Sequence, residues 1–382
     1  MEENKYTNLA ICSKLEIEIE DIAFGGEGVG RYNDFVVFIP FTIPGEKVLV
    51  EIAEVKKNFA RALLLKVLEP SPHRVEPLCK YFGDCGGCQY QHIAYPYQLQ
   101  VKRKQIVDLL ERIGGFTSPQ VDEVSACPRP YQYRNKIMVR SQWDKLQKKL
   151  VIGFLRYDNR LVSDIQECKI AEPNINEQLK KVRENPPPRG GLKVMLRLLP
   201  SDWEVPFDSF FQNNFYALPI LVEKAADCIK NSNAKYLIDA YCGIGFFGIS
   251  LANFVERVIG FDIDLQAIKA AKKNVELKGL KNCEFYPGKT EDLLPNLSKN
   301  LENTALLMDP PRTGVPVESL KILRQNRPKQ IIYVSCHPAT FARDLKILCE
   351  GGAFELKRVS PVDMFPQTKH VECVADLRSA VP

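Results

Sequence analysis

The sequence predicts an α/β protein whose largest domain has a mainly parallel sheet. Within residues 236–252, YLIDAYCGIGFFGISLA, a short apolar run passes through closely spaced glycines into a helical pattern, as in a strand, a tight turn and a helix. Apolar runs and helical patterns alternate after it, which is typical of a Rossmann-like sheet. Residues 15–68 instead show short alternating runs, which indicate a separate small β-barrel. We therefore predict a barrel over residues 1–70, a central α+β domain over 71–204 and the Rossmann-like domain over 205–382.

The N-terminal segment contains four predicted strands, LEIEIEDIAF, DFVVFIPF, EKVLVEIAEV and RALLLKVLE. The glycine-rich run GGEGVGR and the Pro44–Gly45 pair are expected to separate them as turns. Small barrels of this OB-like kind often bind oligonucleotides, and Lys56, Lys57 and Arg61 are candidate phosphate contacts. The first 70 residues carry 12 acidic and 8 basic side chains, so a barrel that only packs on its neighbour stays an alternative.

Cysteines cluster near the start of the central domain. Cys79, Cys85 and Cys88 lie within ten residues, and two glycines between the last two allow the backbone to fold tightly. Three clustered thiols with Cys168 as a distant fourth ligand favour a [4Fe-4S] cluster over zinc, which usually takes two closely spaced ligand pairs. His92 could complete a zinc site instead, and buried thiols without a metal are the third interpretation.

Composition indicates a cytoplasmic protein. The start, MEENKYTNLA, is polar and acidic, and no run approaches the roughly 18 apolar residues of a membrane span. In that compartment, 12 cysteines favour metal binding or catalysis over disulfides. Residues 71–235 carry 25 basic and 18 acidic side chains, which suggests a polyanionic substrate or a solvated surface. Lys102, Arg103 and Lys104, in a predicted helix over residues 95–113, are expected to be solvated, with a nucleic-acid face as the alternative.

The glycine stretch predicts a ligand site. Gly243, Gly245 and Gly248 allow a ligand to approach the backbone, and Asp262 falls where a second parallel strand would end. A carboxylate there can accept hydrogen bonds from both hydroxyls of a ribose, so this stretch alone is compatible with S-adenosylmethionine and with a nicotinamide dinucleotide. Gln212, in the aromatic run FFQNN, is a candidate to bond the carboxylate or amine of a methionine moiety.

Two further predicted strands end in Asp309 and Cys336, which should meet Asp262 in one crevice beyond the carboxyl ends of the strands. An aromatic residue usually follows Asp-Pro-Pro in amino-group methylation, but Arg312 stands there. A thiol instead suits addition to C6 of uracil, which makes C5 nucleophilic. Glu372, in the strand-like run HVECVADL, is the candidate base for the C5 proton. A plain buried cysteine and a solvent-facing glutamate are the alternatives for the thiol and the base.

Together, the motifs FFQNN, DAYCGIG, DPPRTG, SCHPATFARDL and HVECV resemble those of the RNA uracil-C5 methyltransferases. The run CGGCQYQH is similar to the iron–sulfur branch of that family, and the N-terminal segment is similar to its RNA-binding TRAM domain. The resemblance covers nearly the whole chain. It implies S-adenosylmethionine as methyl donor and RNA as substrate, and it implies no membrane and no protein partner.

The resemblance also implies residue roles, with Cys336 as nucleophile and Glu372 as base. The residues that it implies for cofactor contact are Gln212, Tyr241, Asp262 and Asp309. Those that it implies for the [4Fe-4S] cluster are Cys79, Cys85, Cys88 and Cys168.

Three positions depart from the family pattern: His337 replaces a frequent Asn, Phe246 a polar residue and Asp262 a more frequent Glu. The barrel and the cysteine segment favour large-subunit (23S) ribosomal RNA over transfer RNA as the substrate. Two other classes stay open, a nicotinamide-dependent oxidoreductase and a non-catalytic RNA-binding or iron–sulfur scaffold.

Overall fold

The computed structural model describes residues 9–186, 190–293 and 301–380. The chain divides into two compact units. The first comprises the described residues up to Gln105, Ile137–Leu196 and Gln367–Lys369, and the second comprises Ile106–Lys136, Arg197–Pro366 and the described residues from His370. Within these described ranges, no helix has both the length and the apolar character needed to cross a membrane.

Five strands of the first unit form a closed barrel. They are β1 (Lys14–Ile22), β2 (Glu27–Tyr32), β3 (Phe35–Pro40), β4 (Lys47–Val55) and β5 (Phe59–Glu69). Their order around the barrel is β1-β2-β3-β5-β4, and only the pair β3 and β5 is parallel. Alternate residues along the strands, such as Val37 and Ile39 of β3, are fully buried and fill the interior. The structure thus confirms the predicted barrel.

In the glycine-rich run that was expected to be a turn, Gly25 and Gly26 do lie in the turn after β1, whereas residues 27–31 belong to strand β2. A Cβ atom at Gly30 would lie 2.4 Å from Cγ2 of Ile17 and 2.5 Å from the carbonyl oxygen of Glu18. Gly28 is equally crowded, because a Cβ there would lie 1.9 Å from Oγ1 of Thr42. These glycines therefore allow close approach inside a small barrel instead of breaking the strand.

The remaining strands of the first unit form a four-stranded sheet in the order β8-β7-β6-β9. These are β6 (Lys136–Asp144), β7 (Lys149–Leu155), β8 (Val162–Asp164) and β9 (Lys193–Arg197), and they accompany the helices α1 (Tyr95–Arg112) and α2 (Pro173–Glu184). Helix α1 was predicted from its periodicity, but Lys102 within it is fully buried and lies 6.0 Å from the centre of the Tyr90 ring. The expectation of a solvated Lys102 was therefore wrong.

The second unit contains a seven-stranded sheet with helices between its strands. The strands are β10 (Tyr236–Ala240), β11 (Arg257–Asp262), β12 (Cys283–Pro287), β13 (Thr304–Met308), β14 (Gln330–Ser335), β15 (Phe354–Val362) and β16 (Glu372–Ser379). The helices are α3 (Leu218–Lys230), α4 (Phe246–Leu251), α5 (Leu265–Leu277), α6 (Thr290–Leu293), α7 (Val317–Gln325) and α8 (Pro338–Cys349). The strand order is β12-β11-β10-β13-β14-β16-β15.

The first five strands in that order are parallel, and β16 is antiparallel to both of its neighbours. All residues of β13 and β14 are buried, as expected for strands covered on both faces. Strand β10 lies between β11 and β13, and the chain crosses from β12 at the edge of the sheet to β13 on the other side of β10. At such a reversal of strand order, a crevice opens beyond the carboxyl ends of the strands. Asp262, Asp309 and Cys336 stand at or directly after those ends. This confirms the predicted α/β architecture.

Candidate active site

The turn between β10 and α4 has a backbone that only certain residues adopt without strain. Tyr241, Gly243 and Gly245 have φ values of 62°, 52° and 79°. A Cβ atom at Gly245 would lie 2.8 Å from the ring of Phe285, so this position needs glycine for space as well as for conformation. The turn therefore exposes its backbone toward the crevice, as the glycine spacing predicts.

Asp262 is fixed by the same turn. Its Oδ2 accepts a hydrogen bond from the backbone N–H of Gly243 at 2.8 Å, and its Oδ1 accepts one from the N–H of Asp264 at 2.8 Å. Each carboxylate oxygen keeps a further lone pair for a ligand hydroxyl. The side chain is thus held in the orientation that a ribose acceptor needs.

A cavity of about 830 Å³ lies beyond the strand ends of the second unit. It has the size of a pocket for a small molecule. All six residues predicted for catalysis and cofactor contact line it, namely Gln212, Tyr241, Asp262, Asp309, Cys336 and Glu372. Residues from six different segments therefore meet in one place.

Cys336 is half-buried directly after strand β14. Burial raises the pKa of its thiol to about 11, and the charge of Glu372 adds to this shift. The guanidinium of Arg312 opposes the shift through its positive charge and through hydrogen bonding. The thiol is thus mainly protonated at neutral pH, with a cation placed to stabilise the thiolate.

Glu372 is the first residue of β16 and is 3% exposed. Burial raises its pKa well above the ordinary value, and the nearby Asp309 carboxylate adds to the rise. The pKa of Asp309 is raised by its own burial. Arg312 again acts in the opposite direction on Glu372. Two carboxyls in one buried site push their pKa values upward, as is common where a carboxyl serves as an acid or base.

Arg312 is the functional candidate that the sequence reasoning did not assign. The sequence does contain a signal for it, because Arg312 follows Asp-Pro-Pro, where amino-group methylation would require an aromatic residue. Its effect depends on Cys336 and Glu372, which follow it by 24 and 60 positions in the chain. Nothing local in the sequence indicates that one guanidinium reaches both.

The loop that carries Arg312 is fastened to helix α8. Thr340 Oγ1 donates a hydrogen bond to the carbonyl oxygen of Arg312 at 3.1 Å, and Asp344 Oδ2 accepts one from the N–H of Val315 at 2.9 Å. Gly314 has φ of 80°, and a Cβ atom there would lie 2.4 Å from Asp344 Oδ2. These contacts join the segment DPPRTG to the segment SCHPATFARDL.

His337 caps helix α8. Its Nδ1 accepts a hydrogen bond from the N–H of Thr340 at 3.3 Å. Asn is a common residue at this capping position, and the imidazole supplies the same acceptor here. The departure at His337 therefore preserves the helix start beside Cys336.

Gln212 is 5% exposed. Its backbone carbonyl oxygen accepts a hydrogen bond from Asn135 Nδ2 at 3.0 Å. The second departure, Phe246, packs with ring centres 5.5 Å from Phe211 and 5.4 Å from Trp203. An aromatic wall thus replaces a polar side chain next to Gln212 in the cavity lining.

Tyr241 is held by a carboxylate of the same cavity. Its hydroxyl donates a hydrogen bond to Glu291 Oε1 at 2.7 Å. Burial and this carboxylate raise the tyrosine pKa, so the hydroxyl stays protonated and continues to donate. The bond ties the glycine turn to helix α6.

The predicted cluster residues Cys79, Cys85, Cys88 and Cys168 all lie in the first unit. Burial raises the pKa of Cys85 to about 11, and the charges of Cys168 and Cys79 add to this rise. The backbone N–H of Gly87 donates a hydrogen bond to Cys85 Sγ at 3.4 Å. None of the 12 cysteines, all of which are described, forms a disulfide.

Among the described residues, no group of three or more His, Cys, Asp or Glu side chains is arranged to hold a single metal ion. His92, the alternative zinc ligand, is 1% exposed and has ring centres 6.3 Å from Phe41 and 5.4 Å from Phe82. Burial and the charge of Arg74 lower the pKa of His92 to about 3. The imidazole is therefore neutral.

Two of the three candidate phosphate-binding side chains on the barrel form ion pairs with glutamates. Lys56 lies 2.5 Å from Glu54, and Arg61 lies 3.2 Å from Glu27. Lys57 is exposed and forms no ion pair within the described part of the chain. The outer face of the barrel is thus less cationic than its sequence suggests.

A solved structure is similar to nearly the whole chain. The crystal structure of the Pyrococcus abyssi tRNA (uracil-54, C5)-methyltransferase in complex with S-adenosyl-L-homocysteine matches with a TM-score of 0.71. The two chains are 27% identical, and the match covers 95% of this chain and 99% of that one.

Comparison with sequence families points the same way. The tRNA (uracil-5-)-methyltransferase model matches residues 201–379, and the TRAM domain model matches residues 11–65. Uncharacterised RNA methyltransferases of Synechocystis sp. and Nostoc sp. are 30% and 31% identical over 96% and 95% of this chain, and over 96% of their own lengths. The fold and the cavity thus define an RNA methyltransferase. The chain belongs to the RNA methyltransferase family that combines a TRAM domain with a tRNA (uracil-5-)-methyltransferase-type domain.

Proposed function

We propose that this protein methylates C5 of a uridine in RNA through a covalent bond between Cys336 and C6 of the base. The observation that carries the proposal is the meeting of Cys336, Glu372 and Arg312 at one cavity lined by the glycine turn. A thiol beside a buried carboxyl suits addition and later proton removal at a carbon centre. Hydride transfer by itself requires neither of these two steps.

The chain's residues have distinct roles in this reaction. Cys336 first releases its thiol proton to solvent. The thiolate then donates an electron pair to C6, and the C5=C6 pair moves toward the O4 carbonyl as an enolate. S-adenosylmethionine supplies the methyl group that C5 takes, and the sulfur–methyl bond breaks with its electrons on sulfur. Glu372 then accepts the C5 proton, the C5=C6 bond reforms and the Cys336 thiolate leaves. Arg312 stabilises both ionised side chains by charge.

The cofactor residues are proposed on the same basis. Asp262 is oriented by Gly243 and Asp264 to accept hydrogen bonds from a ribose. Gln212 offers its side-chain amide to the methionine end, while Tyr241 and Asp309 line the same cavity. Each assignment is testable by titration of S-adenosylmethionine against the single variant.

The mouth of the cavity suits a base that has left its stack. Phe210 lines the cavity and is 59% exposed, and Lys136 Nζ lies 5.8 Å from the centre of its ring. An exposed aromatic ring can stack on an extruded base, and a neighbouring cation can meet its phosphate. Such a site favours uridines in loops over those in duplexes.

The test uses RNA that contains 5-fluorouridine together with S-adenosylmethionine. Fluorine cannot leave as a proton does, so we expect a protein–RNA adduct that survives denaturing electrophoresis. Cys336→Ala should form none, whereas Cys349→Ala, a half-buried thiol elsewhere, should form it normally. An unchanged yield of methylated RNA from Cys336→Ala would reject the mechanism.

We further propose ribosomal RNA of the large subunit as the substrate, on the basis of the TRAM barrel with the cysteine segment. Transfer RNA is the second candidate, because the similar Pyrococcus abyssi structure is of a tRNA enzyme. Ribosomal and transfer RNA from a strain that lacks the gene should be offered separately. Mass spectrometry of the methylated uridines then decides between them.

We also propose that Cys79, Cys85, Cys88 and Cys168 bind a [4Fe-4S] cluster. The charges of Cys79 and Cys168 reach Cys85 and raise its pKa, and the N–H of Gly87 lies near Cys85 Sγ, which supports this donor set. Gly86 also lies tight against the chain, because a Cβ there would be 2.9 Å from the carbonyl oxygen of Arg156.

Anaerobic purification tests the cluster by iron and sulfide content and by visible absorption. Cys168→Ser should lose both iron and colour, and Cys228→Ser, a buried thiol of the other unit, should keep them. A colourless parent protein without iron would reject the cluster and leave the methylation proposal untouched.

A further inference from the structure

The hairpin between β6 and β7 is a basic protrusion of the first unit, and we call Trp143–Lys149 the basic hairpin. Asp144 pairs with Lys149 across the two strands, and four residues form the turn between them. Three of the seven residues are lysines, at positions 145, 148 and 149, against one acid, Asp144. The hairpin thus contributes a net charge of +2 to the surplus of positive charge in the middle of the sequence.

The turn has a defined conformation. Asp144 Oδ1 accepts hydrogen bonds from the N–H of Leu146 at 2.8 Å and of Gln147 at 3.0 Å. Lys148 closes the turn with φ of 49°. The carboxylate keeps its charge while it shapes the turn, so three lysines stand against one acid in the hairpin.

The lysines of the turn are available to a ligand. Lys145 and Lys148 are exposed, and neither forms an ion pair within the described part of the chain. Lys149 lies 3.7 Å from Asp164. This contrasts with the barrel, where Lys56 and Arg61 are paired with glutamates.

Two large apolar side chains accompany the charge. Trp143 is 53% exposed and Leu146 is 95% exposed. A turn that serves only as a solvated connection gains nothing from an exposed indole beside lysines. Aromatic rings interleaved with cations are what single-stranded RNA requires, since bases stack on the rings while phosphates meet the cations.

We propose that the basic hairpin binds the RNA substrate outside the methylated nucleotide, with Trp143 stacking on a base and with Lys145 and Lys148 contacting phosphates. The inference rests on the proposed function for the identity of the ligand as RNA. A protein partner would find three cations beside Trp143 and Leu146, whereas stable protein interfaces bury roughly 800 Å² on each partner. Charge and aromatic exposure therefore favour RNA.

The experiment measures binding of fluorescein-labelled oligouridine to the full-length protein by anisotropy over a series of KCl concentrations. The variants are Lys145→Ala/Lys148→Ala and Trp143→Ala. The matched control is Lys269→Ala/Lys272→Ala, which removes two exposed lysines without ion pairs from helix α5. Circular dichroism melting verifies that each variant is folded.

The lysine pair variant should bind more weakly, and its slope of log K against log[KCl] should be shallower by about one per lysine. Trp143→Ala should bind about fivefold or more weakly with an unchanged salt slope, because stacking releases no counterions. The control should match the parent protein. Parental affinity and slope in both hairpin variants would overturn the proposal.

The adduct assay with 5-fluorouridine RNA separates this inference from the proposed function. If the parent protein forms no adduct, the methylation mechanism fails while the binding data still decide the role of the hairpin. If the parent forms the adduct but the hairpin variants bind RNA as it does, only the hairpin proposal fails.

Discussion

The guanidinium of Arg312 lies beside the thiol of Cys336 and opposes the rise of its pKa. It acts in the same direction on Glu372. Thiol addition needs one ionised side chain, and the later proton removal needs another. One cation therefore supports both. Because the loop of Arg312 is bonded to Thr340 and Asp344 of helix α8, this position is set by the same helix that follows the nucleophile.

Replacement of this cation should make the thiol less reactive. We expect that Arg312→Met moves the pKa of Cys336 above about 11, because burial and Glu372 then act without opposition. Alkylation by iodoacetamide at mildly alkaline pH, followed on the Cys336 peptide by mass spectrometry, should be slower. Turnover should fall by about 10²- to 10³-fold, the usual cost of removing a preorganised charge from a reacting site.

Arg324→Met is the matched control for Arg312→Met. Arg324 is ion-paired with Glu350 at 2.5 Å and does not line the cavity. In Arg324→Met, the rate of Cys336 alkylation and the turnover should equal those of the parent protein. Equal alkylation of Cys336 in the parent and in Arg312→Met would show that the guanidinium does not stabilise the thiolate.

The loop of Arg312 should tolerate no side chain at Gly314. A methyl group there would meet Asp344 Oδ2 at 2.4 Å, and Asp344 is fixed by Val315 and by the Tyr333 hydroxyl at 2.7 Å. We expect Gly314→Ala to lower the free energy of unfolding by about 2 to 4 kcal/mol, from positive φ and overpacking together. Turnover should fall more than tenfold at temperatures where the variant stays folded, because Arg312 moves.

Gly279→Ala isolates the backbone contribution. Gly279 has φ of 64°, and no atom lies within 4 Å of the place that a Cβ would take. In Gly279→Ala we therefore expect only conformational strain, of about 1 kcal/mol. Urea denaturation and initial rates should be measured for both variants. Equal loss of stability and full activity in both would mean that contact with Asp344 is unimportant.

The convergence at the site was predictable because it follows from local patterns. The apolar runs before Asp262, Asp309 and Cys336 identify strands, and parallel strands bring their carboxyl ends together. The glycine spacing between β10 and α4 likewise predicts the turn. For Glu372 the sequence left a solvent-facing position equally open, and it is buried because β16 lies between β14 and β15.

Other features depend on contacts between distant residues. Lys102 has a helical neighbourhood that is typical of a solvated surface, yet it is buried near Tyr90. Gly28 and Gly30 look like turn residues until β1 is placed against them. The role of Arg312 emerges only when the helix after Cys336 positions its loop. Periodicity carries no information about such pairings.

Asn, the residue that is frequent in the family at the position of His337, should be tolerated there. His337→Asn keeps a side-chain acceptor for the N–H of Thr340, so stability and turnover should be close to those of the parent. His337→Ala should lose about 1 kcal/mol of stability, the usual cost of removing a cap. Thermal melting and initial rates measure both. A large loss of turnover in His337→Asn with unchanged melting would indicate that the imidazole acts in the reaction.

Asp239, at the base of the glycine turn, should make the protein less stable as pH rises. It is 1% exposed, its Oδ2 accepts a hydrogen bond from the N–H of Gly248 at 2.7 Å, and burial raises its pKa from 3.8 to about 8. Between these values the folded state keeps a proton that the unfolded state releases. The stability contribution of this group is therefore complete below about pH 4 and decreases up to about pH 8, by at most about 1.4 kcal/mol per pH unit.

Asp239→Asn removes this titration while it keeps an oxygen for the N–H of Gly248. Urea unfolding of the variant should therefore show a shallower decline of stability between about pH 5 and pH 8 than that of the parent. Asp227→Asn, an exposed carboxylate 3.6 Å from Lys230, should keep the parental pH dependence. Parallel pH profiles for the parent and Asp239→Asn would contradict a raised pKa at Asp239, because only a carboxyl that binds its proton more tightly in the folded state produces the difference.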